Sequence, residues 1–242
     1  MARFVLVHGA FSGAWCWERL APLLERAGHS VETLDLPGAG DDSTPVAEVT
    51  LEAYADRVCA KLRERDERAV LVPHSMGGMA ATQAAARCPE RVARMVYVAA
   101  FLPQDGESLL ALTQLPEGEG DQIQANLVVE GDPPVGTLAP TASLDAIYLA
   151  CDDQVASWAI SRQRPQPVVP FTEPASLPDG VFDDIPRSYV VCTRDNSIPP
   201  ALQRRMLAAA GITDMTEIET DHAPFLSAPE ELAGALNERA GP

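Results

Sequence analysis

The stretch VLVPHSMGGMAA, residues 70–81, decides the fold. A run of apolar residues leads to Ser75, and two glycines follow at Gly77 and Gly78. A strand, a tight turn and a helix that begins with small residues are typical of a nucleophile elbow, which exposes a serine at the edge of a sheet. The usual pattern is G-x-S-x-G, and Pro73 stands here at the first glycine position. Because proline fixes φ at about −65°, which suits the end of an extended strand, we interpret Pro73 as a tolerated departure.

The composition favours a globular protein that acts on small molecules. The chain has 242 residues, 46% of them hydrophobic, with a mean hydropathy of −0.04. This is long enough for one large α/β domain and rather short for two. The formal net charge is −17, and Lys61 is the only lysine. Since such a surface repels phosphate backbones and anionic lipids, we expect a small-molecule substrate and neither a nucleic-acid nor a membrane partner.

The cysteines and the N-terminus predict a cytoplasmic location. The five cysteines are scattered, odd in number and without a C-x-x-C pair. A disulfide framework or a zinc site is therefore not expected, and reduced thiols in a cytosol are the simpler interpretation. The N-terminal apolar run is too short for a signal peptide, and no run approaches the roughly 20 apolar residues of a membrane span. The oligomeric state stays open, a homodimer included.

Strands alternate with helices at both ends of the chain. The patterns predict strands at 3–9, 29–38, 69–75, 92–101, 187–195 and 215–220, and helices at 14–28, 51–65, 76–89, 199–211 and 228–240. Nearly continuous apolar strands between helices predict a mostly parallel sheet with helices on both faces.

The alternation breaks from about 103 to 186, where prolines are dense and short helical pieces are predicted at 142–151 and 152–160. The apolar side chains of this segment argue against a disordered tether. We therefore expect a single domain over 1–242 with a small cap inserted at about 103–186.

Three side chains directly follow predicted strands in the chain order serine, aspartate, histidine. They are Ser75, Asp195 and His222. The carboxyl ends of parallel strands share one edge of a sheet, so these groups are expected to meet there. A serine hydroxyl needs an imidazole to take its proton, and that imidazole needs a carboxylate to hold its tautomer. The order of the three residues is the one found in α/β-hydrolases.

The other histidines and acids are weaker candidates. His74 neighbours the serine, so its side chain should point away from it, and His29 opens a strand after a glycine. Asp221 adjoins the histidine and is expected to point the wrong way, while Asp35 is expected to shape a turn. Asp105, after the strand that follows the serine, is the second candidate for the acid.

An oxyanion intermediate needs two N–H donors that are held in place beforehand. The amide of Met76, directly after the serine, lies at a helix N-terminus and is the first candidate. The loop after the first strand, HGAF at residues 8–11, is expected to supply the second donor from Ala10.

The chain resembles the α/β-hydrolase superfamily, and within it the plant methylesterase and hydroxynitrile lyase family. The matching stretches are FVLVHGAFSGAWCWERLAPLLERAGHSVETLDLPGAG, HSMGGMAA, VYVAAFLP, YVVCTRDNSIPPALQRRM and DHAPFL, while residues 103–186 match only loosely. The resemblance implies an α/β-hydrolase fold, the same serine, histidine and aspartate as a triad, the Ala10 and Met76 amides as an oxyanion hole, and no cofactor or metal.

Two positions place the chain on the esterase side of that family. Its lyases typically carry a threonine in the first-strand loop and a lysine directly after the histidine, where this chain has Gly9 and Ala223. The expected reaction is hydrolysis of a small, largely apolar ester or thioester through an acyl-enzyme. A ligand-binding protein without hydrolytic activity, or a lyase or other tailoring enzyme on the same scaffold, remain the alternatives.

Overall fold

The structure, a computed structural model, describes residues 1–241. In the N-terminal part, strands and helices alternate as the sequence predicts. In chain order they are β1 (Arg3–Val7), α1 (Ala21–Arg26), β2 (Ser30–Leu34), α2 (Leu51–Arg63), β3 (Ala69–Ser75), α3 (Gly77–Arg87) and β4 (Val92–Ala100).

Short elements fill the segment between β4 and the next strand of the central sheet. They are α4 (Leu109–Thr113), α5 (Gln122–Asn126), β5 (Val128–Glu130), β6 (Val135–Thr137), α6 (Pro140–Ile147), α7 (Asp153–Arg162), β7 (Gln166–Pro167) and α8 (Val169–Thr172). Regular alternation then returns with β8 (Arg187–Cys192), α9 (Pro200–Ala209), β9 (Met215–Ile218), α10 (Pro224–Ser227) and α11 (Pro229–Asn237).

The central sheet has six strands in the order β2-β1-β3-β4-β8-β9, and every neighbouring pair is parallel. Alternate residues of β1 enter opposite cores, because successive side chains of a strand point to opposite faces. Val5 and Val7 pack with α2, α3 and α9, whereas Phe4 and Leu6 pack with α1 and α11. The α/β-hydrolase fold predicted from the sequence, with helices on both faces, is confirmed.

The inserted segment, residues 103–186, contains two helices close to the predicted positions. The pieces predicted at 142–151 and 152–160 are α6 and α7, and Asp152 caps α7 by accepting the Val155 amide at 2.9 Å. The segment also forms a second, antiparallel sheet in the order β5-β6-β7, which the sequence did not predict because its strands have only two or three residues.

One predicted helix is divided in the structure. The helix expected at 14–28 consists of a 3₁₀ turn at Ala14–Trp17 followed by α1. Pro22 accounts for the division, since proline fits the first turn of a helix and disrupts the interior. Similarly, β9 ends at Ile218, before the predicted strand end at 220, where the Thr220 amide turns back to the Ile218 carbonyl.

Candidate active site

Ser75 is the last residue of β3 and has a φ of 52°. A non-glycine residue in this left-handed region is uncommon and marks a tight, strained turn. Gly77 and Gly78 let α3 start directly beyond it. A β-carbon on Gly77 would lie 2.5 Å from the His8 carbonyl oxygen, and one on Gly78 would overlap the Phe101 carbonyl oxygen. The two glycines therefore allow α3 to pack against the backbone beside the serine.

Pro73 lies inside a central strand, where proline is unusual because it cannot donate to the ladder. It pairs with Val7 of β1 and is buried. On the other side of the strand, the register against β4 shifts between His74 and Ser75. Pro73 is therefore compatible with the left-handed turn at Ser75.

Asp195 and His222 meet at the carboxyl edge of the sheet. His222 Nδ1 donates to Asp195 Oδ2 at 2.7 Å, because a carboxylate accepts only. His222 is 1% exposed and Asp195 is 3% exposed, so this contact is shielded from water. The other carboxylate oxygen accepts the amides of Ser197 at 2.7 Å and Ile198 at 2.9 Å. These bonds fix the carboxylate and leave His222 Nε2 as the nitrogen without the proton.

Gln203 on α9 is a fully buried support of this pair that the sequence reasoning missed. Its Nε2 donates to Asp195 Oδ2 at 3.1 Å and to the Ile198 carbonyl at 2.7 Å, and its Oε1 accepts the Cys192 amide at 3.1 Å. The side-chain amide of Gln203 thus joins the end of β8 to Asp195. The available signal was a polar residue between Leu202 and Met206 on the apolar face of a helix.

His74, which precedes the serine on β3, holds the main chain of His222. Its Nε2 donates to the His222 carbonyl at 2.7 Å, and the two ring centroids are 4.5 Å apart. Burial, and to a smaller extent the proximity of His222, holds the pKa of His74 well below its usual value, so this imidazole is neutral. His74 is thus structural, as the sequence predicts. No hydrogen bond joins Ser75 to the His222 ring among residues 1–241.

The loop after β1 is fixed by His8. The Leu36 amide donates to His8 Nε2 at 3.0 Å, so Nδ1 carries the proton and donates to the Gly9 carbonyl at 2.8 Å. Burial lowers the pKa of His8, which keeps this tautomer neutral. An added β-carbon at Gly9 would lie 2.7 Å from the Cβ of Ser75, so the loop approaches the serine closely.

The inserted segment also holds this loop. Gln166 Oε1 accepts the Phe11 amide at 3.2 Å, and the Arg164 amide donates to the Phe11 carbonyl at 3.1 Å. Phe11 itself has a φ of 62°. Because Phe11 follows Ala10, these bonds orient the peptide next to the predicted oxyanion donor. Sequence patterns missed this support, since Gln166 lies in a segment without regular periodicity.

A small cavity of about 40 Å³ lies over Ser75. Ala10 and Met76, the two predicted oxyanion donors, line it together with the serine. Met76 occupies the position before the first residue of α3, where backbone amides have no partner inside the helix. The remaining lining residues are Phe101, Leu109, Thr113, Asp121, Ile123, Phe171, Ser197 and Ile198. Five of these belong to the inserted segment, so its side chains line the space above the serine.

The rival acids have other partners. Asp35 accepts the amides of Ala14 at 2.6 Å and Asp41 at 3.1 Å, which shapes the turn after β2 as expected. Asp105, the second candidate, accepts the Leu177 amide at 2.8 Å in an exposed part of the inserted segment. The geometry therefore favours Asp195 over Asp105 as the partner of the histidine.

Asp221 and His29 likewise serve structure. Asp221 accepts the Ser227 hydroxyl and the Ala150 amide, both at 2.7 Å, which ties the end of α6 to the histidine loop. His29 Nδ1 accepts the Ala2 amide at 3.1 Å at the start of the sheet.

Within residues 1–241, no cluster of three or more histidine, cysteine or acidic side chains has the arrangement of a metal site. The same part of the chain contains no helix of the length and apolarity that a bilayer crossing needs.

The fold and the site geometry are those of an α/β-hydrolase, and comparison with known proteins agrees with this class. The sequence pattern of the alpha/beta hydrolase family matches residues 4–235. The chain therefore belongs to this family, as the resemblance of its motifs implies.

Similar proteins of known name include two from plants. The chain is 34% identical to salicylic acid-binding protein 2 of Nicotiana tabacum and 32% identical to methylesterase 7 of Arabidopsis thaliana. Each match covers 98% of this chain and 96% of the relative. The crystal structure of polyneuridine aldehyde esterase superposes with a TM-score of 0.87 over the whole of both chains, at 27% identity.

Proposed function

We propose that the protein is a serine carboxylesterase that cleaves a small, largely apolar ester or thioester through an acyl-enzyme on Ser75. The observation that carries the proposal is the buried 2.7 Å hydrogen bond between His222 and Asp195, at the same sheet edge as a serine with a φ of 52°. Relatives that are named as methylesterase and esterase support hydrolysis of an ester bond.

In the proposed first step, His222 Nε2 takes the proton of the Ser75 hydroxyl while Oγ attacks the ester carbonyl carbon. The carbonyl oxygen becomes an oxyanion, which the amides of Ala10 and Met76 stabilise. Asp195 stabilises the imidazolium without accepting its proton. When the C–O bond to the alcohol breaks, His222 returns the proton to the leaving oxygen, and an acyl-Ser75 remains.

Water then completes the cycle. His222 takes a proton from a water molecule, whose oxygen attacks the acyl carbon. When the second tetrahedral intermediate collapses to the acid, the bond to Ser75 Oγ breaks and His222 returns the proton to this oxygen. The cavity volume of 40 Å³ is well below the roughly 300 Å³ or more of a usual ligand site. We therefore propose that residues 103–186 act as a cap whose side chains shift when substrate enters.

Among the alternatives, hydrolysis is favoured over the lyase reaction. A side chain at Gly9 would collide with Ser75 in this arrangement, and Ala223 is fully buried and apolar. The cytoplasmic location stays a prediction from the sequence.

The alternative that deserves a direct test is a ligand-binding protein without hydrolytic activity. Pro73 in the elbow and the name of the tobacco relative, a salicylic acid-binding protein, favour it. A fluorophosphonate reacts only with an activated serine, and mass spectrometry then locates the adduct. We expect labelling at Ser75 and none at Ser197, which lines the same cavity but donates its hydroxyl to the Ala146 carbonyl at 2.8 Å.

The hydrolase proposal is tested with Ser75→Ala on a series of methyl and p-nitrophenyl esters of increasing acyl length. We expect kcat to fall by about 10⁴- to 10⁶-fold, because removal of a triad nucleophile leaves only binding and the oxyanion donors. A Ser75→Ala protein that keeps most of its esterase activity would refute the proposal.

A further inference from the structure

Asp121 is a buried carboxylate in the cavity over Ser75, and the mechanism above does not use it. It precedes α5 in the inserted segment, and the residue is 8% exposed. The Gln122 amide donates to the Asn196 carbonyl at 2.8 Å, which ties this position to the loop that carries Asp195. The aspartate is therefore held at the cavity by the same loop as the acid of the triad.

The two oxygens of Asp121 have different surroundings. Oδ1 accepts the amides of Ile123 at 2.8 Å and Gln124 at 3.0 Å, so it caps α5. For Oδ2, the described residues provide no hydrogen-bond donor. One oxygen thus fixes the orientation of the carboxylate, and the other is available to a ligand.

The cavity offers no positive charge to balance this carboxylate. Asp121 is the one ionisable side chain among the described residues that line the cavity. Two ionisable side chains outside the cavity lining also act on the pKa of Asp121: His222 lowers it and Asp195 raises it. Burial raises the pKa of Asp121 to about 6, so the carboxylate is negative near neutral pH.

A fixed negative charge beside Ser75 opposes the negative charge that develops on the substrate carbonyl oxygen. It equally disfavours an anionic substrate. A positively charged substrate neutralises the Asp121 carboxylate, because its cation pairs with Oδ2 in a poorly solvated space. The repulsion of the developing oxyanion is then reduced. The location of Asp121 therefore bears on substrate choice.

We propose that Asp121 is a specificity-determining residue that makes the cavity select small esters carrying a protonated amine within reach of the scissile carbonyl. This inference rests on the proposed esterase function and names the substrate class of the same site.

The test uses pairs of esters that differ in one atom, nitrogen against carbon. For the alcohol side the pair is 2-(dimethylamino)ethyl acetate and 3-methylbutyl acetate, and for the acyl side it is methyl 4-(dimethylamino)butanoate and methyl 5-methylhexanoate. At a pH of about 7.5, Asp121 is ionised and the amines are protonated. The quantity compared is the ratio of kcat/KM for the amine ester to that for its neutral counterpart.

Two variants remove the charge and keep the helix cap. Asp121→Asn and Asp121→Ser both leave a side-chain oxygen for the α5 amides. We expect each to lower the ratio at least fivefold in one of the two pairs. A smaller change in both pairs overturns the proposal. Asp152→Asn is the matched control, since Asp152 caps α7 in the same segment but lies outside the cavity, and its ratios should equal those of the wild type.

A binding measurement separates this proposal from the esterase proposal. Calorimetry compares the same ester pairs on Ser75→Ala and on the double variant Ser75→Ala/Asp121→Asn. If the wild type hydrolyses none of the esters but Ser75→Ala prefers the amine ester at least fivefold through Asp121, the esterase proposal fails and the selectivity proposal holds. If the wild type hydrolyses the esters without any Asp121-dependent preference in rate or binding, only the selectivity proposal fails.

Discussion

The sheet edge and the inserted segment each hold an aspartate that accepts two main-chain amides with its Oδ1. Asp195 accepts the amides two and three residues onward, and Asp121 does the same. The second oxygens differ. In Asp195, Oδ2 accepts from His222 and Gln203, whereas in Asp121 the described residues leave Oδ2 without a donor.

The same local turn therefore orients a carboxylate toward a histidine in one case and toward a cavity in the other. The partners of the second oxygen, Oδ2, make the difference. Partners supplied by α9 and the histidine loop commit Asp195 to one histidine. Asp121 instead faces a cavity, where burial raises its pKa to about 6. An aspartate that accepts the amides two and three residues onward is a local motif. Its chemical role depends on the residues that the rest of the fold brings next to its second oxygen.

Between the two aspartates, the larger expected effect on catalysis comes from Asp195→Asn. An amide in place of the carboxylate stabilises the wrong tautomer of His222, and we expect kcat to fall by about 10⁴-fold. The steady-state rate on a neutral p-nitrophenyl ester measures this. Asp105→Asn is the control, because Asp105 binds only the Leu177 amide. Equal losses in both variants would contradict the assignment of the acid.

Next in size is the effect of Gly78→Ala on stability. The new methyl group would meet the backbone oxygen of Phe101, which cannot move without disturbing the sheet, and we expect a loss of about 3 kcal/mol or more. Urea denaturation followed by circular dichroism measures the loss.

A glycine of the inserted segment provides the control for this substitution. In Gly136→Ala the methyl group would meet the tip of the Leu127 side chain at 2.8 Å, which can rotate away. We expect a cost of about 1 kcal/mol or less, because flexible neighbours relax. Similar costs at the two glycines would show that the sheet edge is no more rigid than the segment that covers it.

Asp121→Asn should change the pH dependence of stability. The folded-state pKa of about 6 lies above the usual aspartate value of 3.8, so the folded protein binds more protons than the unfolded chain between these values. Stability from this group is therefore highest below about pH 4 and falls as the pH rises to about 6. The resulting penalty above pH 6 is up to about 3 kcal/mol, since one pKa unit corresponds to 1.36 kcal/mol.

The asparagine variant lacks this penalty, so above pH 6 it should be more stable than the wild type, and below pH 4 the two should coincide. Denaturation midpoints measured across this range provide the test, with Asp152→Asn as the exposed control cap. A difference between variant and wild type that does not depend on pH would refute the assigned titration.

The smallest expected effect on catalysis comes from Gln203→Leu, which removes one donor from Asp195. Hydrogen bonds to charged groups contribute about 1.5–3 kcal/mol, so we expect a loss of roughly 10- to 100-fold. Because Gln203 positions the aspartate and does not touch substrate, the loss should appear in kcat and leave the preference between amine and neutral esters intact. A changed preference would place Gln203 in substrate binding.

Local patterns predicted much of the fold and the core of the candidate site. The apolar strand that ends at Ser75 lies where its periodicity places it, and the two glycines after the serine allow the close backbone approach that the motif requires. The strand predicted at 187–195 begins at Arg187 as expected but ends at Cys192, so Asp195 lies in the loop beyond it. The division of the helix at 14–28 was also open to prediction, since Pro22 stands in its middle.

The supports of the site were not predictable in this way. Gln203 appears in the sequence as one polar residue on an otherwise apolar helix face, and Gln166 and Asp121 lie in a segment without periodicity. Their partners, which include Phe11 for Gln166, are set by packing between distant parts of the chain.

The sequence by itself determined where the strands of the central sheet lie, where the elbow lies and which serine, aspartate and histidine follow strands of one sheet edge, because these depend on periodicity and on neighbours along the chain. Only the tertiary structure decided which residues of the inserted segment line the cavity with Ser75, that Gln203 completes the donors around Asp195 and that Asp121 faces the cavity. Burial and the pKa values that follow from it are properties of surroundings assembled from distant residues, and no local pattern contains them.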